Sequence, residues 1–421
     1  MVSKLIHSQG FCERHKVNER DFTRTRTLTL PRLVSFMLNV VKGSLQVELD
    51  KFFEIESRRD IPCRVVTDAA YCLARKKLNY AAFIEIRDQL SESLYESGNT
   101  RTWMGHRLLA VDGSSLTLPD TEVFLKHFGK ANPHAVHATT RISQLYDILN
   151  KQTVDFRHTP FSTGERELAA LHLEYAKEND LVLYDRGYAA SWLFTLHEQY
   201  NSNFLARVKT TFSNQIEEFS KGRCNEKTIW ISHSQQSRRK CKELDLSIGN
   251  TQVRLVKFKL ETGEVEILAT SLMCKHKYPI ALLKKLYHQR WFVEEDYKIM
   301  KSRMEFENLT GKSPETVLQD IYAKVVTKNI AGILMIEAEQ LAHSKVQADR
   351  ALPKINFSYL ISKLKGSIVK ILSGYRVAET ITALIDQCSK QTHTDRPGRR
   401  VPRNMTKMKK LRFFYAYKRT T

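Results

Sequence analysis

Two apolar runs that each end in an aspartate place the strongest constraint on the fold of this chain. Residues 108–111 (Leu-Leu-Ala-Val) precede Asp112, and residues 181–184 (Leu-Val-Leu-Tyr) precede Asp185. Short apolar runs bounded by turn-forming residues are typical of buried strands. Further patterns alternate around them, with strands near 142–149, 153–157 and 204–208 and helices at 165–176 and 190–200. This order predicts a mixed α/β sheet with helices packed on it.

The segments on either side of this alternation have different patterns. The first hundred residues are predicted to be helical, with helices at 33–41, after Thr67 and at 80–95. From 210 to 275 the alternation stops, and a hairpin over 253–272 predicts a β-rich insertion. A long helix over 279–307, a helix that begins after Ser313, and two helices near 357–372 and 377–388 are predicted to follow.

The charge of the chain predicts a polyanionic partner. It carries 67 Lys and Arg against 46 Asp and Glu, a formal net charge of +21, which draws it toward nucleic acid. Arg75, Lys76 and Lys77 lie on a predicted short helix and are candidate DNA contacts, although a solvated helix face is an equally common explanation of such a cluster. The basic, aromatic-rich tail over 396–419 predicts sequence-independent binding of nucleic acid, with a disordered solubilising tail as the alternative.

The cysteines and the apolar segments predict an intracellular protein. Seven cysteines occur without any C-x-x-C pair, which fits free thiols in a reducing compartment better than disulfides or a zinc finger. The first fifteen residues lack the apolar core of a secretory signal. The most apolar long stretch, 321–338, contains Lys324, Lys328 and Glu337 and is too short and charged to span a bilayer. We therefore expect a cytoplasmic protein that does not enter a membrane.

Four polar residues on the predicted helix 279–307 share one face. At about 100° per residue, Tyr287, Arg290, Glu294 and Lys301 fall within about 60° of one another, beside an apolar stripe that can seat the helix on the sheet. A carboxylate between Arg and Lys on an anchored face suits phosphate binding beside a metal ion. Taken alone, such a face is more often a solvated ladder of ion pairs.

The two strand-end aspartates favour the functional interpretation. Ligands gather at the carboxyl ends of strands in open α/β sheets, so Asp112, Asp185 and Glu294 together can hold a pair of divalent cations on oxygen ligands. Two such ions about 4 Å apart activate the attacking oxygen and stabilise the leaving oxygen of a phosphoryl transfer. Each aspartate alone is more typical of a turn, because Asp-Gly and Asp-Arg-Gly favour turns. The three acids together predict metal-dependent phosphoryl transfer.

The spacing of the four helix residues resembles the Tyr-x2-Arg-x3-Glu-x6-Lys signature of bacterial insertion-sequence transposases of the DDE type, in the insertion-sequence-four group. Every interval of the signature is kept. Other segments are also similar to that family: Val-Asp-Gly at Asp112, Tyr-Asp-Arg-Gly-Tyr at Asp185, and residues 72–78, 204–208 and 289–294. The resemblance covers roughly residues 20–340.

The resemblance implies an RNase H-like catalytic core, interrupted by a β-rich insertion between the second aspartate and the glutamate. It implies that Asp112, Asp185 and Glu294 bind Mg²⁺ as two ions, for which Mn²⁺ can substitute. Tyr287 and Arg290 would contact the DNA backbone near the cleavage site, and Lys301 would bind a terminal phosphate. The reaction would be hydrolysis at the end of the element, followed by attack of the freed 3′-hydroxyl on target DNA.

The resemblance also implies partners and domains. The partners are DNA, as transposon ends with inverted repeats and as target DNA, and a second copy of the chain that pairs two ends at the bacterial nucleoid. We predict an N-terminal helical DNA-binding domain over 1–100, a catalytic domain over 101–345 with its insertion at about 210–275, and a C-terminal helical region with a basic tail over 346–421.

Two other functions stay open from the sequence. One is a catalytically inactive, sequence-specific DNA-binding protein, against which the complete set of acids argues. The other is an RNase H-like nuclease without strand transfer, which would not need Tyr287 and Lys301. Some relatives form a hairpin on the transposon end with the help of an aromatic wedge. Trp230 is a candidate wedge, but a buried structural tryptophan is the more frequent role.

Three further polar residues receive structural interpretations. His134 and His137 form an H-x2-H pair that predicts a surface loop in preference to a zinc site, because no cysteine lies nearby. Asp147 lies in an apolar context and competes for a metal-binding role. We interpret it as a strand residue that faces solvent or pairs locally.

Overall fold

The structure, a computed structural model, describes residues 1–24, 26–58, 61, 63–346 and 352–394. The helices of these residues are α1 (Val2–Ile6), α2 (Gln9–His15), α3 (Leu30–Leu38), α4 (Leu45–Ser57), α5 (Asp68–Arg75), α6 (Ala81–Glu96), α7 (Glu122–Phe128), α8 (Glu165–His172), α9 (Ser191–Gln199), α10 (Asn214–Lys221), α11 (Gln235–Glu243), α12 (Ile280–His288), α13 (Trp291–Ser302), α14 (Pro314–His343), α15 (Phe357–Leu372) and α16 (Val377–Ser389). The strands are β1 (Leu108–Thr117), β2 (Thr139–Asp147), β3 (Gln152–Pro160), β4 (Leu181–Tyr184), β5 (Asn203–Val208), β6 (Glu226–Ile231), β7 (Thr251–Lys259), β8 (Val265–Thr270), β9 (Lys354–Ile355) and β10 (Thr392–His393). The predicted tail over 396–419 lies outside the described residues.

Strands β1 to β8 form one sheet in the order β3-β2-β1-β4-β5-β8-β7-β6. The pairs β1–β4 and β4–β5 are parallel, and the other neighbours in the sheet are antiparallel. The predicted mixed α/β sheet is therefore confirmed, as is the predicted hairpin, which is formed by β7 and β8. The β-rich segment does not stand apart from the sheet, because β8 pairs with β5 and carries β7 and β6 outward from it.

Successive residues of β1 enter two different hydrophobic cores, because side chains alternate between the faces of a strand. Leu108 and Ala110 join a core that includes the N-terminal helices, α13 and α14. Leu109 and Val111 join a second core that includes α8, α9 and the β-rich segment. The sheet is thus covered by helices on both faces, and each face has its own set of packed elements.

The long helix α14 is buried along most of its length. Ser313 caps it by accepting a hydrogen bond from the Thr316 amide, and Pro314 occupies its first turn, as the sequence pattern predicts. The helix packs against α3, α6, β3, α15 and α16. None of the described helices, α14 included, combines the length and the apolar character needed to cross a membrane.

Two predicted elements differ in the structure. The predicted helix over 279–307 is divided into α12 and α13, with a turn at Gln289 and with Arg290 as the N-cap residue of α13. The strand expected to end at Asp112 continues to Thr117, because β2 pairs with β1 from Leu109 onward to Thr117. The parallel neighbour β4 ends its pairing at Ala110, so only that side of β1 opens near Asp112.

Two histidines, the buried His197 and the half-buried His158, are expected to make folding sensitive to acid. Burial lowers the pKa of His158 to about 4 and that of His197 to about 3, from an ordinary value of 6.5. Between about pH 6.5 and pH 4, the unfolded chain therefore binds protons that the folded chain does not bind. The stability that is present above pH 6.5 is lost as the pH falls toward 4. We expect the free energy of unfolding to fall by about 1.4 kcal/mol per pH unit for each histidine.

Urea denaturation between pH 7.5 and 4.5 measures this slope. His158→Phe should flatten it, because the phenyl ring keeps the packing against Tyr80 and Tyr322 but cannot take up a proton. His134→Phe is the control, since His134 is exposed and its replacement should leave the slope unchanged. An unchanged slope in His158→Phe would contradict the prediction.

Candidate active site

The topology of the sheet brings Asp112 and Asp185 to neighbouring positions. The parallel pairing of β1 with β4 ends at Ala110 on β1 and at Leu183 on β4. Asp112 lies two residues after Ala110, and Asp185 lies two residues after Leu183. Because alternate residues share a face, both aspartates belong on the face of Ala110 and Leu183, which is the side covered by α13. Two strands that are far apart in sequence thus deliver their acids to one edge of the sheet.

The charges around Asp112 show that Glu294 belongs to the same cluster. The pKa of Asp112 is raised to about 7, mainly by burial and in addition by the negative charges of Glu294 and Asp185, whereas the Gly113 amide and the Arg290 guanidinium act to lower it. Removal from water is the largest cause of this rise, and the two other carboxylates contribute to it. The two other acids that were predicted from the sequence are therefore near enough to Asp112 to act on it electrostatically.

Buried contacts hold α13, the helix that carries Glu294, against the sheet. The Tyr297 hydroxyl donates a hydrogen bond of 3.0 Å to the Asp112 carbonyl oxygen. Behind it, the Lys328 ammonium of α14 donates to the Asp296 carboxylate at 2.9 Å, and the Gln144 amide donates to the same carboxylate at 3.1 Å. Asp296 and Lys328 are both almost fully buried, so this network fixes the helix relative to β1 and β2.

The other three residues of the helix pattern lie around the same edge. The Arg290 guanidinium pairs with the Glu294 carboxylate at 2.8 Å. The Lys301 ammonium donates to the Ser115 carbonyl oxygen at 2.8 Å, three residues beyond Asp112 on β1. Tyr287 is buried, and its hydroxyl has no hydrogen-bond partner among the described residues. The turn at Gln289 therefore does not separate the four residues from the acids.

The residues of the site fit a divalent cation in their chemistry. The described residues contain no group of three or more His, Cys, Asp or Glu side chains that stands ready to hold a metal ion, and the Glu294 carboxylate is bonded to Arg290. Three carboxylates are nevertheless the oxygen donors that hard divalent cations prefer. Burial is the main cause of the raised pKa of Asp112, and the negative charges of Glu294 and Asp185, which a bound cation would offset, add to it.

The structure corrects the prediction for Arg75. Its side chain is 2% exposed and donates to Asp320, to Gln319 and to the Thr316 carbonyl oxygen, all on α14. A guanidinium that is buried in this way is not available for DNA. Lys76 is exposed, as the prediction requires. Lys77 is half-buried, and its ammonium lies 3.6 Å from the Asp21 carboxylate.

Other candidates from the sequence have clear positions. Trp230 is 56% exposed on β6, so the expectation of a buried structural tryptophan is wrong. Asp147 is buried at the C-terminal end of β2, three residues beyond the partner of Asp112, and accepts hydrogen bonds from Tyr95 and Asn150, so it pairs locally. His134 is exposed in the loop between α7 and β2.

A cleft beside the Asp185 block was missed by sequence reasoning. It has a volume of about 860 Å³ and lies between the N-terminal ends of α8, α9, α10 and α11. Its basic side chains include Arg141, Arg166 and Arg239, which come from three separate elements. No local pattern links these positions, and the only sequence signal is that Gly187 and Ala189, which also line the cleft, stand next to the Asp185 block.

The chain is similar in sequence to known proteins. The family model described as "Transposase DDE domain" matches residues 103–330. The chain is 25% identical over 329 residues to the transposase InsG for insertion sequence element IS4 of Escherichia coli (strain K12), an alignment that spans 75% of this chain and 73% of that protein. It also resembles the cryo-EM structure of the piggyBac transposase synaptic complex with hairpin DNA, with a TM-score of 0.49 and 12% identity over 94% of this chain and 86% of that one. Because the family model spans more than half of its length and includes all three acids, the chain belongs to the DDE transposase domain family.

Proposed function

We propose that this DNA transposase binds the terminal inverted repeats of an insertion sequence, cuts the DNA at its ends and joins them to target DNA, with Asp112, Asp185 and Glu294 as the catalytic acids. One observation carries the proposal. The charges of Asp185 and Glu294 act on the half-buried Asp112 carboxyl, at the place where the parallel pairing of β1 with β4 ends. Ligands of open α/β sheets bind at such a place.

We further propose that β1 to β5 are the RNase H-like core implied by the sequence resemblance. The order β3-β2-β1-β4-β5, with only β2 running against the others, supports this assignment. Strands β6 to β8 would then be the β-rich insertion between Asp185 and Glu294. In this arrangement the insertion lengthens the sheet at its β5 edge.

Members of this family generally use divalent metal ions, and we propose Mg²⁺, for which Mn²⁺ can substitute. Asp112, Asp185 and Glu294 would hold two ions. When bound, the ions activate an attacking oxygen and stabilise the leaving oxygen of the phosphodiester. Asp112 would bind an ion as the carboxylate, and Glu294 would exchange its ion pair with Arg290 for the cation. Arg290 is then released to pair with a DNA phosphate beside the reacting one.

We propose that Tyr287 and Lys301 bind DNA on either side of the acids. The Tyr287 hydroxyl is buried without a hydrogen-bond partner in the described part of the chain, which is a costly arrangement unless a ligand completes it. Lys301 lies at the β1 edge beyond Asp112, where it can take up a terminal phosphate. The exposed Trp230 becomes available as a wedge against a DNA base, a role that burial would have prevented.

The partners of this function are transposon ends and target DNA, and we propose that two copies of the chain pair two ends. Lys76 and Lys77 of the N-terminal helices are the proposed contacts to the inverted repeats. Because the substrate is chromosomal DNA, we propose that the protein acts at the nucleoid of a bacterial cell.

One assay separates the candidate functions. Purified protein is mixed with Mg²⁺, a DNA fragment that ends in the element's inverted repeats and a supercoiled target plasmid. Joined products support the proposed function. Cleavage without joining would indicate a nuclease, and binding without cleavage would indicate a catalytically inactive DNA-binding protein.

A further inference from the structure

The cleft between α8, α9, α10 and α11 is built around helix N-termini. The N-cap residues of all four helices, Gly164, Ala190, Ser213 and Ser234, lie in its wall. The backbone N–H groups at a helix N-terminus are unsatisfied donors, and the helix dipole favours negative charge there. An anion that enters the cleft would therefore meet several donors at once.

Of the four helix N-termini, that of α9 has the fewest acceptors for its backbone N–H groups. Its N-cap residue, Ala190, has no side-chain acceptor, and the first turn of α9 contains no acidic residue. Ser213 and Ser234 cap α10 and α11 with their own hydroxyls. The α8 helix has two glutamates in its first turn. The free donors of α9 begin five residues after Asp185, so a bound anion would lie close to the proposed catalytic acids.

Two arginines of the cleft form no ion pair with a described acidic residue and are available to bind an anion. Glu165 pairs with Arg141, and Glu167 and Glu243 pair with Lys240. Arg166 and Arg239 also line the cleft, and neither makes an ion pair with a described residue. Arg239 is exposed, whereas Arg166 donates to the Gly187 carbonyl oxygen at 2.9 Å.

An independent observation points to a ligand at the same place. Tyr188 is 3% exposed, and its hydroxyl has no hydrogen-bond partner among the described residues. The hydroxyl oxygen lies 3.4 Å from the point that a Cβ on Gly113 would occupy, and the Glu165 carboxylate lies 3.6 Å from the same point. Glu165 lines the cleft, and Gly113 faces the same side of β1, so the hydroxyl lies on the cleft side of the sheet at the position next to Asp112. A tyrosine hydroxyl is protonated near neutral pH and can donate a hydrogen bond.

We propose that this cleft binds the sugar–phosphate backbone of a DNA strand that leads to the catalytic acids, and that the Tyr188 hydroxyl donates a hydrogen bond to one of its phosphates. A neutral donor suits this position, because a lysine or arginine there would pair with the neighbouring carboxylates instead. Helix N-termini with a few arginines are a general means of binding phosphates. The inference rests on the proposed function, since the strand is the one that the acids cut or join.

A charge-matched pair of variants tests the cleft. Arg239→Glu and Lys242→Glu make the same change on the same exposed helix, but only Arg239 lines the cleft. We expect Arg239→Glu to weaken DNA binding about tenfold and to lower the salt dependence of binding by about one phosphate contact. The DNA affinity of Lys242→Glu should stay within about threefold of wild type. Binding is measured without metal ions, so the result does not depend on which residues are catalytic. Equal losses in both variants would overturn the proposal.

A second pair tests the hydroxyl. Tyr188→Phe removes an unsatisfied polar group, so we expect the melting temperature of the variant to be no lower than that of wild type. In single-turnover assays with saturating protein, we expect the variant to react about ten- to a hundredfold more slowly than wild type. Tyr184→Phe is the matched control, because its ring packs beside Tyr188 but its hydroxyl is already bonded to His197. A wild-type rate in Tyr188→Phe, or the same loss in Tyr184→Phe, would overturn the assignment.

The same variants identify the strand. The assay is run with two substrates, an uncut inverted-repeat fragment with its flanking DNA and a precut end offered with a target plasmid. A defect in cleavage assigns the cleft to the DNA of the element's own end, and a defect confined to joining assigns it to target DNA. Either result supports the proposal, whereas normal cleavage and normal joining by both Arg239→Glu and Tyr188→Phe would exclude it. A loss in Glu294→Gln with no loss in these variants would leave the proposed function standing and remove only this inference.

Discussion

Glu294→Gln is expected to reduce DNA cleavage at least about a thousandfold while end binding stays within about threefold of wild type. Glutamine keeps the shape of glutamate and can still accept a hydrogen bond from Arg290. It lacks the charge that hard divalent cations require of a ligand, so metal binding at the site should fail. DNA affinity depends mainly on phosphate contacts from basic residues, which the substitution leaves in place.

The neighbouring Glu295 provides the control. It lies on the same helix and is bonded to Trp291 and Lys298 on the exposed side, away from the acids around Asp112. Glu295→Gln makes the same chemical change and should cleave at close to the wild-type rate. Cleavage of labelled end fragments and a mobility shift without metal measure the two properties separately. If Glu294→Gln cuts normally, the assignment of the catalytic acids is wrong.

Arg75→Met is expected to lower the free energy of unfolding by about 3–5 kcal/mol, because it removes one partner of a buried ion pair and leaves the other without its counter-charge. The Arg75 guanidinium lies 2.9 Å from the Asp320 carboxylate, and it also satisfies Gln319 and the Thr316 carbonyl oxygen. Methionine fills similar space but makes none of these bonds. The N-terminal helices and α14 would then lose the contact that joins them at this point.

Lys76→Ala separates this structural role from DNA binding. Lys76 is the adjacent exposed residue, so its loss should change the free energy of unfolding by less than about 0.5 kcal/mol and weaken binding to inverted-repeat DNA. Urea denaturation and a mobility-shift assay measure the two effects. A variant Arg75→Met that unfolds like wild type but no longer binds DNA would show that the buried position of Arg75 is wrong.

Much of the fold could be predicted because it depends on local patterns. The strands at 181–184 and 203–208, the β7–β8 hairpin and the capped start of α14 agree closely with the predicted elements. Apolar periodicity and capping residues act over a few positions, so they can be identified in a sequence without knowledge of the rest of the molecule.

The errors concern features that distant residues decide. Arg75 has the sequence context of a surface cation, and only Asp320, 245 residues further along, makes its burial tolerable. Trp230 is exposed because β6 is the outermost strand of the sheet, with β7 as its only neighbour. The strand through Asp112 is longer than its apolar run, since pairing with β2 stabilises the polar residues that follow. None of these partners can be identified from the residues nearby.

The sequence by itself determined which chemical groups this protein has for its reaction, and that each aspartate follows an apolar strand while Glu294 lies on an amphipathic helix. Spacing along one element reflects the fixed rise and twist of the backbone, so the Tyr287, Arg290, Glu294 and Lys301 pattern was visible without coordinates. Only the tertiary structure decided that β1 and β4 are parallel neighbours, which sets Asp112 beside Asp185, and that four helix N-termini surround one cleft next to them. These arrangements arise from contacts between segments far apart in the chain, and the free energy of those contacts depends on burial and pairing that no local pattern records.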